Sequence, residues 1–357
     1  PLVSSSAASD VYKRQTFSKS KSEKGLTLEG PHNSLNSLFD RKIGNSKTFE
    51  MSQVFSWNDT LSLPIFPKTE SAEVFAKLRK APRLDLNVEN EWRVRPIQEM
   101  NMTVDSDKFD YSEECPNGFW KVYKGASFDL WEPETGKYNS WGDPKLVLPW
   151  LQNKHINAAS NSKKDSVFGE FPKDFFNDIE NLSPLQPRIA IRDISRATDS
   201  RTVRCALIPP QTFITNTAPV LMFPRGNKKD EAYLLGVLSS IPLDWYARRF
   251  VENHVNFFIF NPLPIPRPNR DNILWKKVVN LAGRLACPDE RFQDWAAKVG
   301  VSCGQLDSKI QYEMICELDA IISHLYELEE EQIIHIYETF HIGWDYEERL
   351  KKVLGYY

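Results

Sequence analysis

Five arginines and several hydroxyl groups between residues 188 and 213 could bind phosphate. The stretch reads RIAIRDISRATDSRTVRCALIPPQTF. Alternation predicts a first strand with Arg188 and Arg192 on one face and two isoleucines inside, then the polar loop SRATDSR and a second strand. Guanidinium groups bind phosphate and read guanine through paired hydrogen bonds. We therefore expect Arg192, Thr198 and Arg201 to contact a nucleic acid.

The same stretch also fits a salt-bridged hairpin that binds no ligand. Asp193 and Asp199 lie within it and could neutralise the neighbouring guanidinium groups. Residue types do not show which side of the hairpin faces solvent. Both interpretations therefore stay open at this point.

Two other segments place basic side chains on predicted strands. In EWRVRPIQEM, Arg93 and Arg95 alternate with apolar residues and would share one strand face. In FWKVYKGASF, Lys121 and Lys124 precede a glycine that allows a turn close to a ligand. A solvated strand face and a hairpin corner are the alternatives, but we expect phosphate contacts from all four. Two further candidates, in a later loop, are His254 and Asn256.

Motifs for catalysis or for a bound cofactor are missing from the sequence. There is no glycine-rich phosphate loop, no Asn-Pro-Pro-Tyr loop and no histidine pair suited to sharing a metal. Asp289, Asp307 and Lys309 could be read as a metal-dependent nuclease site, but the last two lie at a predicted helix start, where capping explains them. The 5 cysteines form no C-x-x-C pair, which favours a reducing compartment. We expect no catalytic residue and no metal site in this chain.

The elements that would position these side chains change in type near residue 270. Short β-rich runs, including VNFFIF at 255–260, precede that point. One helix interrupts them between 231 and 250, with a kink or restart at Pro242. The later part is helical, and Ser308 with a glutamine three residues on predicts a capping box.

These elements predict an α+β fold, with a mixed or antiparallel sheet and packed helices, followed by a helical C-terminal unit. The predicted core lies beneath the basic loops. Its expected members are Ile189, Ile191, Leu207, Leu235, Leu238 and Phe258.

Charge is divided unevenly along the 357 residues, although the formal net charge is only −3. Residues 183–270 hold 12 Lys and Arg against 6 Asp and Glu, whereas residues 308–350 hold 2 against 11. A basic β-rich section suits a surface that binds a polyanion. No apolar run approaches the roughly 20 residues that span a bilayer, and no secretory leader is present, so we expect a cytoplasmic protein without membrane contact.

The pattern of the first residues indicates an artefact of sequencing. The chain does not start with Met, and SSAASDVYKRQ resembles the translation of a common sequencing adapter. We expect residues 1–15 to be adapter-derived and 16–80 to be the remnant of an upstream domain or linker. A predicted β-rich domain covers 81–270, and the helical C-terminal domain covers 271–357.

An ordered series of segments resembles the target-recognition region of large adenine-specific DNA methyltransferases from restriction–modification systems, with the Type IIG fusion enzymes as the nearest class. The likeness extends from about residue 63 to residue 340. The segments that carry it are WRVRPIQEMNMTVD (92–105), WKVYKGASF (120–128), RIAIRDISRATDSRT (188–202), LLGVLSS (234–240), HVNFFIFNPLPIP (254–266), LDAIISHLYEL (318–328) and ETFH (338–341).

The resemblance implies a DNA-recognition role within a larger enzyme, with residues 81–270 as the DNA target-recognition domain. Its missing N-terminal part would bind S-adenosylmethionine and methylate a flipped adenine, and it would need magnesium if it also carried a nuclease. Double-stranded DNA and that catalytic part are the implied partners. Two alternatives are a specificity subunit of a Type I system and a phage-defence methyltransferase without a nuclease. A scaffold protein that binds no nucleic acid is a third.

Overall fold

The computed structural model describes residues 25–29, 46–57, 59–60, 62–68, 70–160, 166–196, 198–341 and 345–357. The predicted adapter segment, 1–15, lies outside the described residues, as does much of the segment 16–80.

The described strands are short, and most come from the middle of the chain. In chain order they are β1 (Leu26–Glu29), β2 (Ser46–Phe49), β3 (Arg93–Ile97), β4 (Trp120–Tyr123), β5 (Tyr138–Gly142), β6 (Arg188–Ile191), β7 (Cys205–Ile208), β8 (Thr212–Ile214) and β9 (Val220–Arg225).

The described α-helices dominate the C-terminal part. They are α1 (Met51–Trp57), α2 (Ser71–Leu78), α3 (Pro144–Ser160), α4 (Lys228–Leu238), α5 (Ile241–Ala247), α6 (Phe257–Phe260), α7 (Ile273–Leu285), α8 (Gln293–Val299), α9 (Ser308–Leu325), α10 (Glu330–Glu338) and α11 (Glu347–Tyr356).

Two larger sheets form the β-rich part. Strands β3, β9, β6 and β7 pair in that order, all antiparallel. In the second sheet β4 lies between β5, its antiparallel neighbour, and β8, its parallel neighbour. Antiparallel and mixed sheets with packed helices make this an α+β fold, as the sequence predicts. The hairpin β6–β7, with the polar loop between its strands, also matches the prediction.

Strand β6 separates two hydrophobic cores. Ile189 and Ile191 belong to the larger core, which also contains α4 and the C-terminal helices, whereas Ala190 belongs to a second core on the other side. The alternation along β6 is therefore confirmed. The expected exposure of the Arg188 face is wrong, because the second core covers it and leaves Arg188 only 5% exposed.

The large core is continuous across the predicted domain boundary. Helix α4 packs against α7 and α8, and α7 packs against α9, so residues on both sides of position 270 share one set of apolar contacts. The division at 270/271 stays a prediction. Among the expected core residues, Leu207, Leu235 and Leu238 are buried, whereas Phe258 is 47% exposed, so its assignment to the core is wrong.

Some local sequence signals for helices and strands are confirmed, and others are wrong. Pro242 lies in the first turn of α5 and separates it from α4, as expected of a restart. The predicted Ser308 cap is wrong, because the Asp307 carboxylate accepts the first backbone N–H groups of α9. VNFFIF, predicted as a strand, contains helix α6. Short apolar runs fit either element until tertiary packing selects one.

Glu134 joins the β4–β5 hairpin to the segment before α8. Burial opposes its ionisation, but hydrogen bonds from Lys121, Tyr138 and Arg291 outweigh that effect and lower the pKa of Glu134 to about 2. The Arg291 guanidinium, 2.5 Å from Glu134, also binds Asp289. The ionised carboxylate is thus favoured by the folded state.

Acid should therefore lower the stability of the wild-type protein as Glu134 becomes protonated. A folded pKa below the ordinary 4.5 contributes stability above pH 4.5, and that contribution is lost as the pH falls towards 2. The Glu134→Gln variant lacks this titration, so we expect its free energy of unfolding to fall less steeply over that window. Urea unfolding of both proteins at pH 5 and pH 3 measures the difference. Equal losses in the two proteins would contradict the assignment.

No helix among the described residues combines the length and apolar character needed to cross a membrane.

Candidate nucleic-acid interface

One end of both sheets gathers the loops that carry the basic candidates. At this end β4 and β8 finish side by side, and β6 finishes where β7 and β9 begin. We call this the loop edge and define it as residues 100–105, 124–127, 192–204, 215–219 and 253–256. The polar loop, residues 195–201, is part of it.

Backbone hydrogen bonds tie the loops of the two sheets together. Thr217 is central, since its hydroxyl accepts the Gly125 N–H at 3.2 Å and its carbonyl accepts the Asp193 N–H at 3.1 Å. The Asp193 carbonyl in turn accepts the Val255 N–H at 2.8 Å. The loop after β4, the loop after β6 and residues 253–256 therefore form one continuous surface.

Arg192 lies against the turn that follows Lys124. A Cβ atom added at Gly125 would lie 3.2 Å from Arg192 Cγ and 3.0 Å from the Thr217 carbonyl oxygen. The absence of a side chain at Gly125 thus lets the aliphatic part of Arg192 rest on the turn that follows Lys124. Two basic residues that follow strands of different sheets are thereby brought to adjoining positions of the loop edge.

Neither Lys124 nor Arg192 has an ion-pair partner within the described part of the chain, and both are partly exposed. Arg196, which the sequence analysis did not select, is exposed on the polar loop, and its backbone N–H binds the Asp199 carboxylate at 3.1 Å. Thr198 is also exposed. Cations and hydroxyls at one surface suit an anionic ligand.

The other predicted basic residues have carboxylate partners. Arg93 and Arg95 both contact Glu170, at 3.0 and 3.7 Å, so they share one side of the strand as expected. Arg93 is only 5% exposed and starts β3, at the end of the sheet opposite the loop edge. Lys121 binds Glu134 on the flank of β4. The structure therefore does not bring these three side chains to the loop edge.

Arg201 belongs to the polar loop but points into the protein. Its Nε donates to the Asp244 carboxylate at 2.6 Å, and the same carboxylate accepts the backbone N–H groups of Thr202 and Val203. Asp244 is fully buried. The expectation that the Arg201 guanidinium faces outward is wrong, because it binds the buried Asp244 at the base of the loop.

Asp244 is the residue here that sequence reasoning missed. It lies in α5, 43 residues from Arg201, inside the apolar run IPLDWYA. An acidic residue within a buried run usually has a positive partner, because an isolated buried charge is costly. That signal was available, but it does not identify the partner.

His254 and Asn256 lie at the rim of the loop edge. His254 is half-exposed, and its Nδ1 is 3.0 Å from an Asp193 carboxylate oxygen. Asn256 precedes α6, and its side-chain oxygen is buried without a hydrogen-bond partner in the described residues. Both residues are close to Arg192 through the Asp193–Val255 backbone contact.

Potential metal ligands and free thiols are scattered over the described residues. No three His, Cys, Asp or Glu side chains there lie close enough to hold a metal ion. Cys205, Cys287 and Cys316 are buried free thiols, and burial raises the pKa of Cys205 to about 12. S-adenosylmethionine needs a glycine-rich cradle that this sequence lacks. We therefore assign no methyl-transfer step to the residues of this chain.

Comparisons with known proteins include a distant structural likeness. No family model and no curated protein matches the sequence. The chain is similar to a solved structure of the Type IIL restriction-modification enzyme MmeI in complex with DNA, with 11% identity and a TM-score of 0.37. The match covers 73% of this chain and 36% of that one, so the chain spans about a third of its length.

Proposed function

We propose that this chain is a DNA-recognition region whose loop edge contacts double-stranded DNA. The observation that supports it best is that Arg192 lies against the turn after Lys124 and that both cations are without carboxylate partners among the described residues. Elsewhere in the β-rich part, basic residues such as Arg93 and Arg201 are neutralised within the fold. Cations left unpaired at an exposed edge favour a polyanion.

Individual roles follow from exposure. Lys124 and Arg192 would bind phosphates, and Arg196 and Thr198 would enter a groove from the polar loop. His254 and Asn256 would contact the adjacent backbone. A loop between two strands can do this without disturbing the core beneath it.

The activity of a larger protein is proposed from the sequence resemblance alone. In such a protein, an upstream part would bind S-adenosylmethionine and transfer methyl to the exocyclic amine of a flipped adenine. A nuclease, where present, would use magnesium. In this chain we assign recognition and no catalysis.

Duplex binding at low salt tests the proposal. We expect the chain to bind a fluorescent 30-base-pair duplex, with a dissociation constant of roughly 1–100 µM near physiological salt, as for sequence-independent contacts. Fluorescence anisotropy measures it, and a heparin-blocked sample is the control. Absence of binding even at low salt would contradict the proposal and favour a scaffold role.

A further inference from the structure

Three consecutive backbone carbonyls of the polar loop are bound by side chains from helical segments of the chain. The three donors, which we call the loop anchors, reach the loop from α5 and from the segment between α10 and α11. His341 Nε2 lies 2.6 Å from the Thr198 carbonyl, Arg248 Nη2 donates to the Asp199 carbonyl at 2.5 Å, and the Tyr346 hydroxyl donates to the Ser200 carbonyl at 3.1 Å.

The anchors are themselves held by buried groups. Arg248 stacks on the Phe340 ring at 4.2 Å, donates to the Phe340 carbonyl at 3.3 Å and lies 3.7 Å from Asp244. Tyr346 packs against the same ring, with centroids 5.2 Å apart. Phe340 is 2% exposed. Buried groups of the helical core therefore determine where the loop backbone lies.

Carbonyls of an exposed loop ordinarily bind water, which leaves the loop free to sample many conformations. Ordering such a loop on DNA binding would oppose association. At the polar loop, both the anchors and the Asp244 contacts at its base supply that order before any ligand arrives. Thr198 and Arg196 are thereby presented in one arrangement.

We propose that His341 and Tyr346 are positioning residues for the polar loop, acting with Arg248 to hold the backbone of residues 198–200 in the form that binds DNA. They set the affinity and do not touch the ligand. The DNA part of this inference rests on the proposed function, whereas the ordering of the loop does not.

Two conservative variants with matched controls test the proposal. Tyr346→Phe removes one hydroxyl, and Tyr357→Phe is its control because the Tyr357 hydroxyl donates to the Leu328 carbonyl, in the helical part. His341→Ala removes one imidazole, and His324→Ala is its control because His324 contacts the Tyr357 carbonyl at 3.1 Å. His341→Gln keeps a donor that can reach Thr198 and should restore the wild-type behaviour.

Hydrogen exchange measures how well the polar loop is ordered in the absence of any ligand. We expect the Arg196 and Asp199 amides to exchange roughly tenfold faster in Tyr346→Phe and His341→Ala, with the core amides of β6 unchanged. The controls should match the wild type. Unchanged exchange at these amides in both variants would overturn the proposal, whatever the outcome for DNA.

Duplex affinity against salt then separates positioning from contact. Substitution of a positioning residue should weaken binding about tenfold. The slope of log K against log salt should stay the same, because no phosphate contact is lost. A shallower slope would mean that the side chains contact phosphate directly, which would overturn the proposal. If the wild type binds no duplex, the proposed function fails, and the exchange result still decides the role of the anchors.

Discussion

Replacing Asp244 with asparagine is expected to lower the free energy of unfolding by about 3–5 kcal/mol. The Asp244 side chain is fully buried and accepts hydrogen bonds from Arg201 and from the backbone of Thr202 and Val203. The variant would leave the Arg201 guanidinium buried without a counter-charge. Arg248, 3.7 Å from the same carboxylate, would lose its nearest negative charge.

Urea unfolding measures this loss as a lower midpoint at an unchanged slope. Asp271→Asn is the matched control, because the Asp271 side chain is 94% exposed and its pair with Lys276 spans 3.7 Å. We expect the control to stay within about 0.5 kcal/mol of the wild type, as for most surface changes. A loss below about 1 kcal/mol in Asp244→Asn would contradict a buried ionic centre at the base of the polar loop.

The second large effect concerns DNA. The double variant Lys124→Ala with Arg192→Ala should reduce the slope of log K against log salt by about 2, because binding no longer releases the counterions of two phosphates. The free energy of unfolding should hardly change, since neither side chain has an ion-pair partner among the residues described. Anisotropy titrations at four salt concentrations, with the folded state checked by thermal melting, give both quantities.

Arg225→Ala is the control for this variant. Arg225 pairs with Arg93 in the sheet register, at the end of β3 and β9 that lies away from the loop edge. Its removal should leave the slope unchanged. An unchanged slope in the double variant, or an equal reduction in the control, would remove the loop edge from the interface. Arg201 is unsuitable for such an experiment, because its substitution would leave the buried Asp244 carboxylate without its ion-pair partner.

The local pattern of the sequence was sufficient for much of the fold. Alternation at 188–191 predicts β6 and its pairing with β7, because a strand places successive side chains on opposite faces. Pro242 predicts the start of α5, because proline fits the first turn of a helix. The change from β-rich to helical texture predicts an α+β fold. These features depend on neighbours along the chain.

The partners of the charged residues depend on contacts distant in sequence. Period-two alternation shows which face of β6 is apolar, but not that a second core covers the other face and pairs Arg188 with Glu99, 89 positions earlier. For the same reason Arg201 was expected to face outward, although a carboxylate on α5 holds it inside.

The candidate site itself is a product of tertiary structure. Lys124 and Arg192 follow strands of different sheets, and their loops meet because Thr217 links them and Gly125 leaves room for Arg192. Residue types alone determined that positive charge would collect in this part of the chain. Which cations remain available for a ligand was decided by the fold, because burial and ion pairing depend on which carboxylates packing brings within reach.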